Sequence, residues 1–247
     1  MIHQGLTISN VDQLASLVRQ GVTFRECNFD EADLIDFEAD ALELEQCTLR
    51  SVRLTNLFCP ELKLIDCDLH EANFERADVQ DAEFTNSEFA QSIFRGAKLN
   101  LSRLVDCDFS ACNFDGTVLF GAELTRCRFR AVDFSSTNVD CAKFDHVDFS
   151  MAALRFKNFK GKRFTGMNFT EADLTGCNFT GVSFEECHLA GVHVSEETLF
   201  DGADFRGAFI VASHLELASL KGAVMSPVQA NTLLYERFGI VVDEGSS

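Results

Sequence analysis

Tryptophan, tyrosine and proline are scarce in this sequence of 247 residues. It has no tryptophan, one tyrosine and two prolines, whereas it has 25 phenylalanines. When one residue type supplies nearly all the aromatic side chains, a single structural position that is filled many times is the simplest explanation. The composition therefore favours a repeat protein.

Long apolar runs, an N-terminal leader and an excess of basic residues are also missing. No apolar stretch approaches the roughly 18 residues that a membrane-spanning helix needs, and the first residues lack the pattern of a signal peptide. The formal net charge is −18, whereas binding to nucleic acid or anionic membranes depends mainly on cationic contacts. We therefore expect a cytoplasmic protein that contacts neither of them directly, and a partner protein with a basic surface.

A five-residue period is the dominant pattern in the sequence. Every position whose number ends in 4 or 9, from Phe24 to Leu199, is apolar, and positions ending in 2 or 7 form a second class of smaller residues. The only charged members of the second class are Lys157, Lys162 and Glu197. Helices repeat near 3.6 residues and strands at 2, so neither brings these side chains to one side. We infer a backbone that turns a corner every five residues, with both classes pointing inward.

A second period of 20 residues implies that four corners close one square coil. The large and small inward sites exchange sizes at Phe37 with Ala39, and again 20 residues later at Leu57 with Cys59. Most cysteines also fall on one 20-residue ladder of small side chains: Cys27, Cys47, Cys67, Ser87, Cys107, Cys127, Val147, Met167 and Cys187. With neighbouring coils about 4.8 Å apart, about ten coils would make a rod on the order of 50 Å long.

Four short units carry a resemblance to a known family: Ala72-Asn73-Phe74, Ala77-Asp78-Val79, Ala172-Asp173-Leu174 and Ala203-Asp204-Phe205. They resemble the pentapeptide-repeat proteins, whose motif runs small, Asp or Asn, Leu or Phe, polar, Gly. The resemblance implies an all-β fold, a right-handed quadrilateral parallel β-helix of about ten coils over residues 22–223. After Leu199 the register shifts by one residue, to Phe205, Ile210, Leu215 and Leu220.

Residues 1–21 are predicted to form an N-terminal cap helix. Ser9-Asn10-Val11-Asp12 offers a capping box, and Gly21 suits the end of the helix. The predicted apolar face consists of Val11, Leu14, Ala15, Leu17 and Val18. Such a helix would cover the open end of the β-helix, where unpaired strand edges otherwise invite aggregation.

Residues 224–247 are predicted to form a C-terminal helix and tail. Ser226 suits the N-cap and Pro227 the first helical position, and Ile240-Val241-Val242 reads as a strand. The family resemblance implies a homodimer through this helix, with Leu233, Leu234 and Phe238 as the dimerisation residues. A helix that only caps the coils is the alternative.

Residues 26–81 carry 16 acidic side chains against four basic ones, and none of the acidic ones occupies an inward site. The acidic residues are Glu26, Asp30, Glu31, Asp33, Asp36, Glu38, Asp40, Glu43, Glu45, Glu61, Asp66, Asp68, Glu71, Glu75, Asp78 and Asp81. Their density along the coils is at least that of phosphates along duplex DNA, at about one per 1.7 Å. A solvated face that only aids solubility is the alternative to a partner-binding surface. We take eleven of these residues as partner-binding: Asp30, Glu31, Asp33, Asp36, Glu38, Asp40, Glu43, Glu45, Asp66, Asp68 and Glu71.

Residues 126–163 have the opposite charge balance. The basic residues there are Arg126, Arg128, Arg130, Lys143, Arg155, Lys157, Lys160, Lys162 and Arg163. Because a buried ammonium group without a partner is costly, Lys157 and Lys162 at inward sites predict a local bulge at residues 155–159. The alternative is that their stems line the coil and their heads emerge at corners. We take Lys157, Lys160 and Lys162 as further partner-binding residues.

Motifs for catalysis, cofactor binding and metal binding are absent from the sequence. There is no Cys-x-x-Cys pair, no Gly-rich phosphate loop and no nucleophile motif. His188 follows Cys187, but the five-residue period points the histidine outward and the cysteine inward. We therefore expect structural thiols, no enzyme activity, no cofactor and no metal.

Two functions follow from these features. The acidic surface and the C-terminal helix resemble those of the topoisomerase-protecting pentapeptide proteins, which bind DNA gyrase in place of DNA and confer resistance to quinolones or toxins. The second is a passive interaction scaffold, such as a secretion-system-associated or immunity-type pentapeptide protein. The sequence leaves both open.

Overall fold

The computed structural model describes residues 1–18 and 22–242, and the chain divides into two compact units, Met1–Asp148 and Phe149–Ser247. Both units are built from the same four-sided parallel coil, with about ten turns in all. The predicted all-β solenoid is therefore confirmed.

The first unit carries one strand of an eight-stranded parallel sheet on each turn. The elements are β1 (Ile2–Gln4), α1 (Val11–Leu17), β2 (Thr23–Arg25), β3 (Ala41–Glu45), β4 (Glu61–Ile65), β5 (Glu83–Thr85), β6 (Arg103–Val105), β7 (Glu123–Thr125) and β8 (Lys143–Asp145). From β2 onward each residue pairs with the one 20 positions later, as Phe24 does with Leu44. The other sides are held by isolated parallel bridges with the same offset, such as Asn28 with Thr48.

The second unit repeats this geometry over fewer turns. Its elements are β9 (Arg163–Thr165), β10 (Ser183–Glu185), β11 (His188–Leu189), β12 (Phe209–Ile210), a short 3-10 helix (Ala212–Leu215) and α2 (Pro227–Phe238). Strand β9 pairs with β10, and β11 pairs with β12, both in parallel.

The interior of each unit is filled by the two predicted inward classes. Phe109, Phe134 and Leu174 are 0% exposed, which confirms the five-residue register. Phe109 stacks between Phe89 and Phe129 of the adjacent turns, with ring centroids 4.7 and 4.9 Å away. The predicted ladder of small side chains is buried at every position from Cys27 to Cys187.

The corners explain how the coil forms with little glycine. Residues whose numbers end in 1 or 6 mostly adopt positive φ, for example Asp36 at 58° and Asn56 at 57°. Aspartate and asparagine tolerate this left-handed conformation better than most residues. Ala41 and Glu61 are exceptions, since β3 and β4 begin there. These two corners directly follow the two places where the inward sites exchange sizes.

The one-residue shift of register occurs earlier than predicted. Thr198 and Phe200 are buried, whereas Glu197 is exposed and Leu199 half-buried, so the predicted inward positions of Glu197 and Leu199 are wrong. The physical reason is a polar turn, because the Thr198 hydroxyl accepts a hydrogen bond from the Ser195 N–H and donates one to the Leu174 carbonyl. The extra residue is therefore accommodated before Thr198.

The N-terminal segment is more than a cap helix, since β1 pairs with β2 and extends the coil. The predicted capping box is displaced by one residue, because Asn10 is the N-cap and accepts from the Gln13 N–H. Of the predicted apolar face only Leu14 is buried, at 0% exposure. The predicted helix stop, Gly21, lies outside the described residues.

The C-terminal helix begins as predicted. Ser226 forms a capping box with Gln229, Pro227 occupies the first turn and Gly239 ends the helix with φ 65°. The Gln229 amide donates to the carbonyls of Phe205 and Ala208, at 2.9 and 2.8 Å, and so ties α2 to the last coil. The predicted strand at residues 240–242 is wrong, because this segment has no regular secondary structure.

Candidate functional site

The strongest local charge lies on the turn formed by residues 26–45, which we call the acidic coil. It contains nine acidic residues and no Lys or Arg: Glu26, Asp30, Glu31, Asp33, Asp36, Glu38, Asp40, Glu43 and Glu45. Two of these side chains form ion pairs with neighbouring coils, Asp33 with Arg53 at 3.0 Å and Glu45 with Arg25. The charge therefore surrounds this turn and is largely uncompensated.

Neutral donors, not cations, satisfy several other predicted carboxylates. The Asn56 amide donates to Asp36 at 2.8 Å, and the Arg50 backbone N–H donates to Asp30 at 2.8 Å. Glu31, Glu38, Asp40 and Glu43 form no ion pair within the part of the chain that the structure describes, and Glu31, Glu38 and Asp40 are exposed. These carboxylates remain available to an external cation.

Of the three predicted residues beyond residue 45, Asp68 has ion-pair partners, whereas Asp66 and Glu71 accept from neutral donors. Asp68 is paired with Arg50 and His70, and although burial raises its pKa, the hydrogen bonds from these two side chains hold the pKa below its usual value. Asp66 accepts from the Asn86 amide at 2.7 Å, and Glu71 accepts from the Ser51 hydroxyl at 3.1 Å. All three residues have hydrogen-bond donors within the described part of the chain, and among them only the charge of Asp68 is compensated there by a cationic side chain.

Lys157, Lys160 and Lys162 lie on one regular turn of the second unit, and the predicted bulge at residues 155–159 is wrong. The Lys157 N–H donates to the Leu154 carbonyl at 3.2 Å and the Lys162 N–H to Phe159 at 3.0 Å, as at other corners. Lys157 and Lys162 are half-buried and Lys160 is exposed. The long aliphatic stem of lysine permits this placement, because it can line the coil while the ammonium emerges.

The three predicted dimerisation residues differ in exposure. Leu233 and Leu234 are half-buried, whereas Phe238 is 61% exposed. The same end of the second unit exposes further apolar side chains that the sequence prediction missed: Val228, Tyr235, Ile240 and Val241. Helix α2 has no buried residue, so its apolar side chains are available to a partner.

Exposed apolar residues at one corner of the first unit were also missed. Leu101 is 59% and Phe120 is 46% exposed. Comparing outward residues that stand 20 positions apart would have found them, because the equivalent residues of neighbouring coils are Asp, Asn, Gln or Gly.

The cysteines serve the interior. Nine of the ten are buried and all are free thiols, and burial raises the pKa of both Cys59 and Cys112 to about 12. Within residues 1–18 and 22–242, no group of three or more His, Cys, Asp and Glu side chains could hold a metal ion. None of the helices in that same part of the chain has the length and apolarity to cross a membrane.

Comparisons with known proteins agree with this geometry. The family model for pentapeptide repeats matches in eight copies, over residues 63–100, 102–139, 112–150 and 148–185. Among solved structures, the chain is similar to QnrB1, described as a plasmid-mediated fluoroquinolone resistance protein, with a TM-score of 0.55 and 16% identity over 97% of this chain and 100% of QnrB1. HetL from the cyanobacterium Nostoc, a pentapeptide-repeat protein involved in heterocyst differentiation regulation, is 20% identical over 86% of this chain and 92% of HetL, with a TM-score of 0.38. No curated protein sequence matches the chain. With a five-residue register, four-sided coils and eight matching repeats, the chain belongs to the pentapeptide-repeat family.

Proposed function

We propose that this protein is a non-enzymatic, acidic binding protein that occupies the DNA-binding surface of DNA gyrase or a related topoisomerase. The observation that carries the proposal is the acidic coil, in which seven of nine carboxylates have no ion-pair partner among the described residues. Seven charges over one coil spacing of about 4.8 Å correspond to roughly one per 0.7 Å, against about one per 1.7 Å for duplex DNA. A surface that binds DNA would therefore meet, at this coil, a negative charge density at least as high as that of DNA.

The comparisons support the class of function. QnrB1 has the same fold and is described as a fluoroquinolone resistance protein, and fluoroquinolones act on gyrase. At 16% identity this likeness concerns the fold, so the gyrase assignment depends on the charge of the acidic coil and on the experiment below.

Gyrase assays test the proposal directly. We expect micromolar protein to change gyrase supercoiling of relaxed plasmid, or to restore supercoiling in the presence of a fluoroquinolone. Because the attraction is electrostatic, the effect should weaken as salt rises above about 0.1 M, where the Debye length is about 10 Å. An unchanged reaction at micromolar protein, with and without drug, would contradict the proposal.

Two matched variants locate the contact. The first neutralises the acidic coil isosterically with Glu31→Gln, Glu38→Gln, Asp40→Asn and Glu43→Gln, and we expect at least a tenfold loss of the effect on gyrase. The second removes four charges from the other unit, at Glu171, Glu186, Glu196 and Glu197, each to Gln. This control has the same net charge and should retain the effect, since the four residues belong to the second unit and the acidic coil is unchanged.

A passive scaffold is the second candidate, and the second unit favours it. The exposed Lys160 and Phe156, the latter 66% exposed, offer cationic and apolar groups on a chain whose other unit is acidic. A scaffold would hold two partners, one at each unit. Capture of a basic partner by the wild type but not by the acidic-coil variant, with gyrase unaffected, would favour this function.

We also propose that α2 joins two copies of the chain. Tyr235 and Phe238 are 63% and 61% exposed, and burying such side chains against a second copy would contribute about 1.5–3 kcal/mol each. Light scattering should show a dimer for the wild type and a monomer for Tyr235→Asp with Phe238→Asp. Lys221→Glu, which changes the net charge equally, should remain dimeric, and a monomeric wild type at micromolar concentration would refute the dimer.

A further inference from the structure

An exposed apolar corner lies on the first unit, formed by Leu101, Phe120, Gly121 and Cys141. The Leu101 N–H donates to the Phe120 carbonyl at 2.9 Å, which places these residues on adjacent coils. A Cβ added to Gly121 would lie 2.8 Å from Leu101 Cδ2, so the leucine side chain lies flat on the glycine backbone. Leu101, Phe120 and Cys141 are all exposed.

The conformation of Leu101 is unfavourable for this residue type. Its φ is 59°, a left-handed conformation that favours glycine, asparagine and aspartate. The equivalent corner of the preceding coil carries Asp81 at φ 57°, a residue type that tolerates this conformation. The Leu101 side chain remains 59% exposed although it packs on Gly121, so it presents apolar surface to a partner.

An acidic row continues the same corner toward the acidic coil. Asp40, Glu61 and Asp81 are exposed and form no ion pair within the described residues. The two lysines between residues 40 and 120 pair with other carboxylates, Lys63 with Glu83 at 3.0 Å and Lys98 with Asp78 at 2.9 Å. One edge of the first unit thus presents uncompensated negative charge and then, on the following coils, apolar surface.

We propose that this edge docks a protein segment that carries lysine or arginine in one half and large apolar side chains in the other. The proposal rests on the binding role proposed for the acidic coil, to which Asp40 belongs. It specifies the chemistry of the segment that binds there. From Asp40 to Phe120 the edge covers four coil spacings, or about 19 Å. A helix of roughly 13 residues, at about 1.5 Å per residue, would match this length. Cations would face the acidic row, and the apolar half would cover Leu101 and Phe120.

Fluorescence anisotropy with synthetic peptides tests the proposal. The probes are a 14-residue peptide with four lysines followed by two leucines and a phenylalanine, and a peptide in which serines replace those three apolar residues. We expect the wild-type protein to bind the first at least tenfold more tightly than the second. Leu101→Asn with Phe120→Asn should reduce this preference to about twofold, because the apolar contact is lost.

Two further variants separate the charge from the apolar contact. Asp40→Asn, Glu61→Gln and Asp81→Asn should weaken both peptides about tenfold, reduce the salt dependence of binding and keep the preference for the apolar peptide. Met151→Asn with Phe156→Asn makes the same kind of change at exposed left-handed corners of the second unit. This control should bind both peptides as the wild type does.

Loss of folding is not expected to explain weaker binding by Leu101→Asn, since asparagine tolerates the left-handed conformation at this corner better than leucine does. The melting temperature of Leu101→Asn should equal or exceed that of the wild type. An unchanged preference in Leu101→Asn with Phe120→Asn would overturn the proposal, even where the gyrase assay succeeds. Self-association that the same two substitutions abolish would also overturn it, because the edge would then hold a second copy of the chain. A failed gyrase assay with the expected peptide preferences would refute only the identity of the partner.

Discussion

Phe109→Asp is expected to prevent the first unit from folding. The Phe109 ring is 0% exposed and stacks on Phe89 and Phe129, with Phe94 and Phe114 edge-on at 5.7 and 5.8 Å. Removing a buried phenylalanine side chain costs about 3–5 kcal/mol, and an unpaired buried carboxylate adds several more. The sum approaches the whole stability of a typical domain, about 5–15 kcal/mol.

Urea denaturation followed by circular dichroism measures this effect. Phe109→Leu should lose about 1–2 kcal/mol, because leucine fills many of the equivalent inward sites. Ala111→Asp introduces the same charge two residues away, at an exposed corner with φ 56°, and should stay within about 0.5 kcal/mol of the wild type. A Phe109→Asp variant as stable as Ala111→Asp would contradict the inward register.

The interior was predictable because its pattern is local and repeated. Each inward side chain occupies the same position in a five-residue unit, so one residue such as Phe134 is supported by the same choice at Phe129 and Phe114. A single misreading would place charged residues in the core at many turns. The inward classes at Phe24 and Cys27 therefore followed from spacing alone.

The predictions of inward and outward positions failed where hydropathy allows more than one placement of a residue. Leu199 and Phe200 are both apolar, so hydropathy does not decide which points inward, whereas the hydroxyl of Thr198 finds an acceptor in the Leu174 carbonyl. Lys157 combines an apolar stem with a charged head, so a regular coil can bury part of the stem while the ammonium group reaches solvent. Strand β1 was missed because its pairing with β2 has an offset of 21 residues, not 20.

The sequence predicts which residues make up the candidate surfaces, but not which of them form ion pairs. The sequence shows the acidic residues of the acidic coil, yet the ion pairs that neutralise Asp33 and Asp68 depend on neighbours 18 to 20 residues away. Exposure of Leu101 and Phe120 depends in turn on which side of the coil each outward residue occupies. These features emerge only when the coils are stacked.

Leu14→Asp is the second substitution with a large expected effect. Leu14 is the buried residue of α1, at 0% exposure, and it lines the interior beside Phe29, Leu34 and Leu44. Losing this contact should destabilise the first unit by about 2–5 kcal/mol, and releasing α1 should expose apolar side chains and open coil edges to solvent and to other molecules.

The location of the strands that are destabilised shows whether Leu14 belongs to a terminal cap or stabilises the whole unit. Repeat coils contact mainly their neighbours, so local opening is expected to spread from the end and not uniformly. Amide hydrogen exchange should therefore accelerate most at β2 and β3 and little at β7 and β8. Ala15→Asp, one residue along the same helix and exposed, should leave exchange unchanged. Equal acceleration across all the strands of the first unit would mean that Leu14 stabilises the unit as a whole and that α1 does not act as a terminal cap.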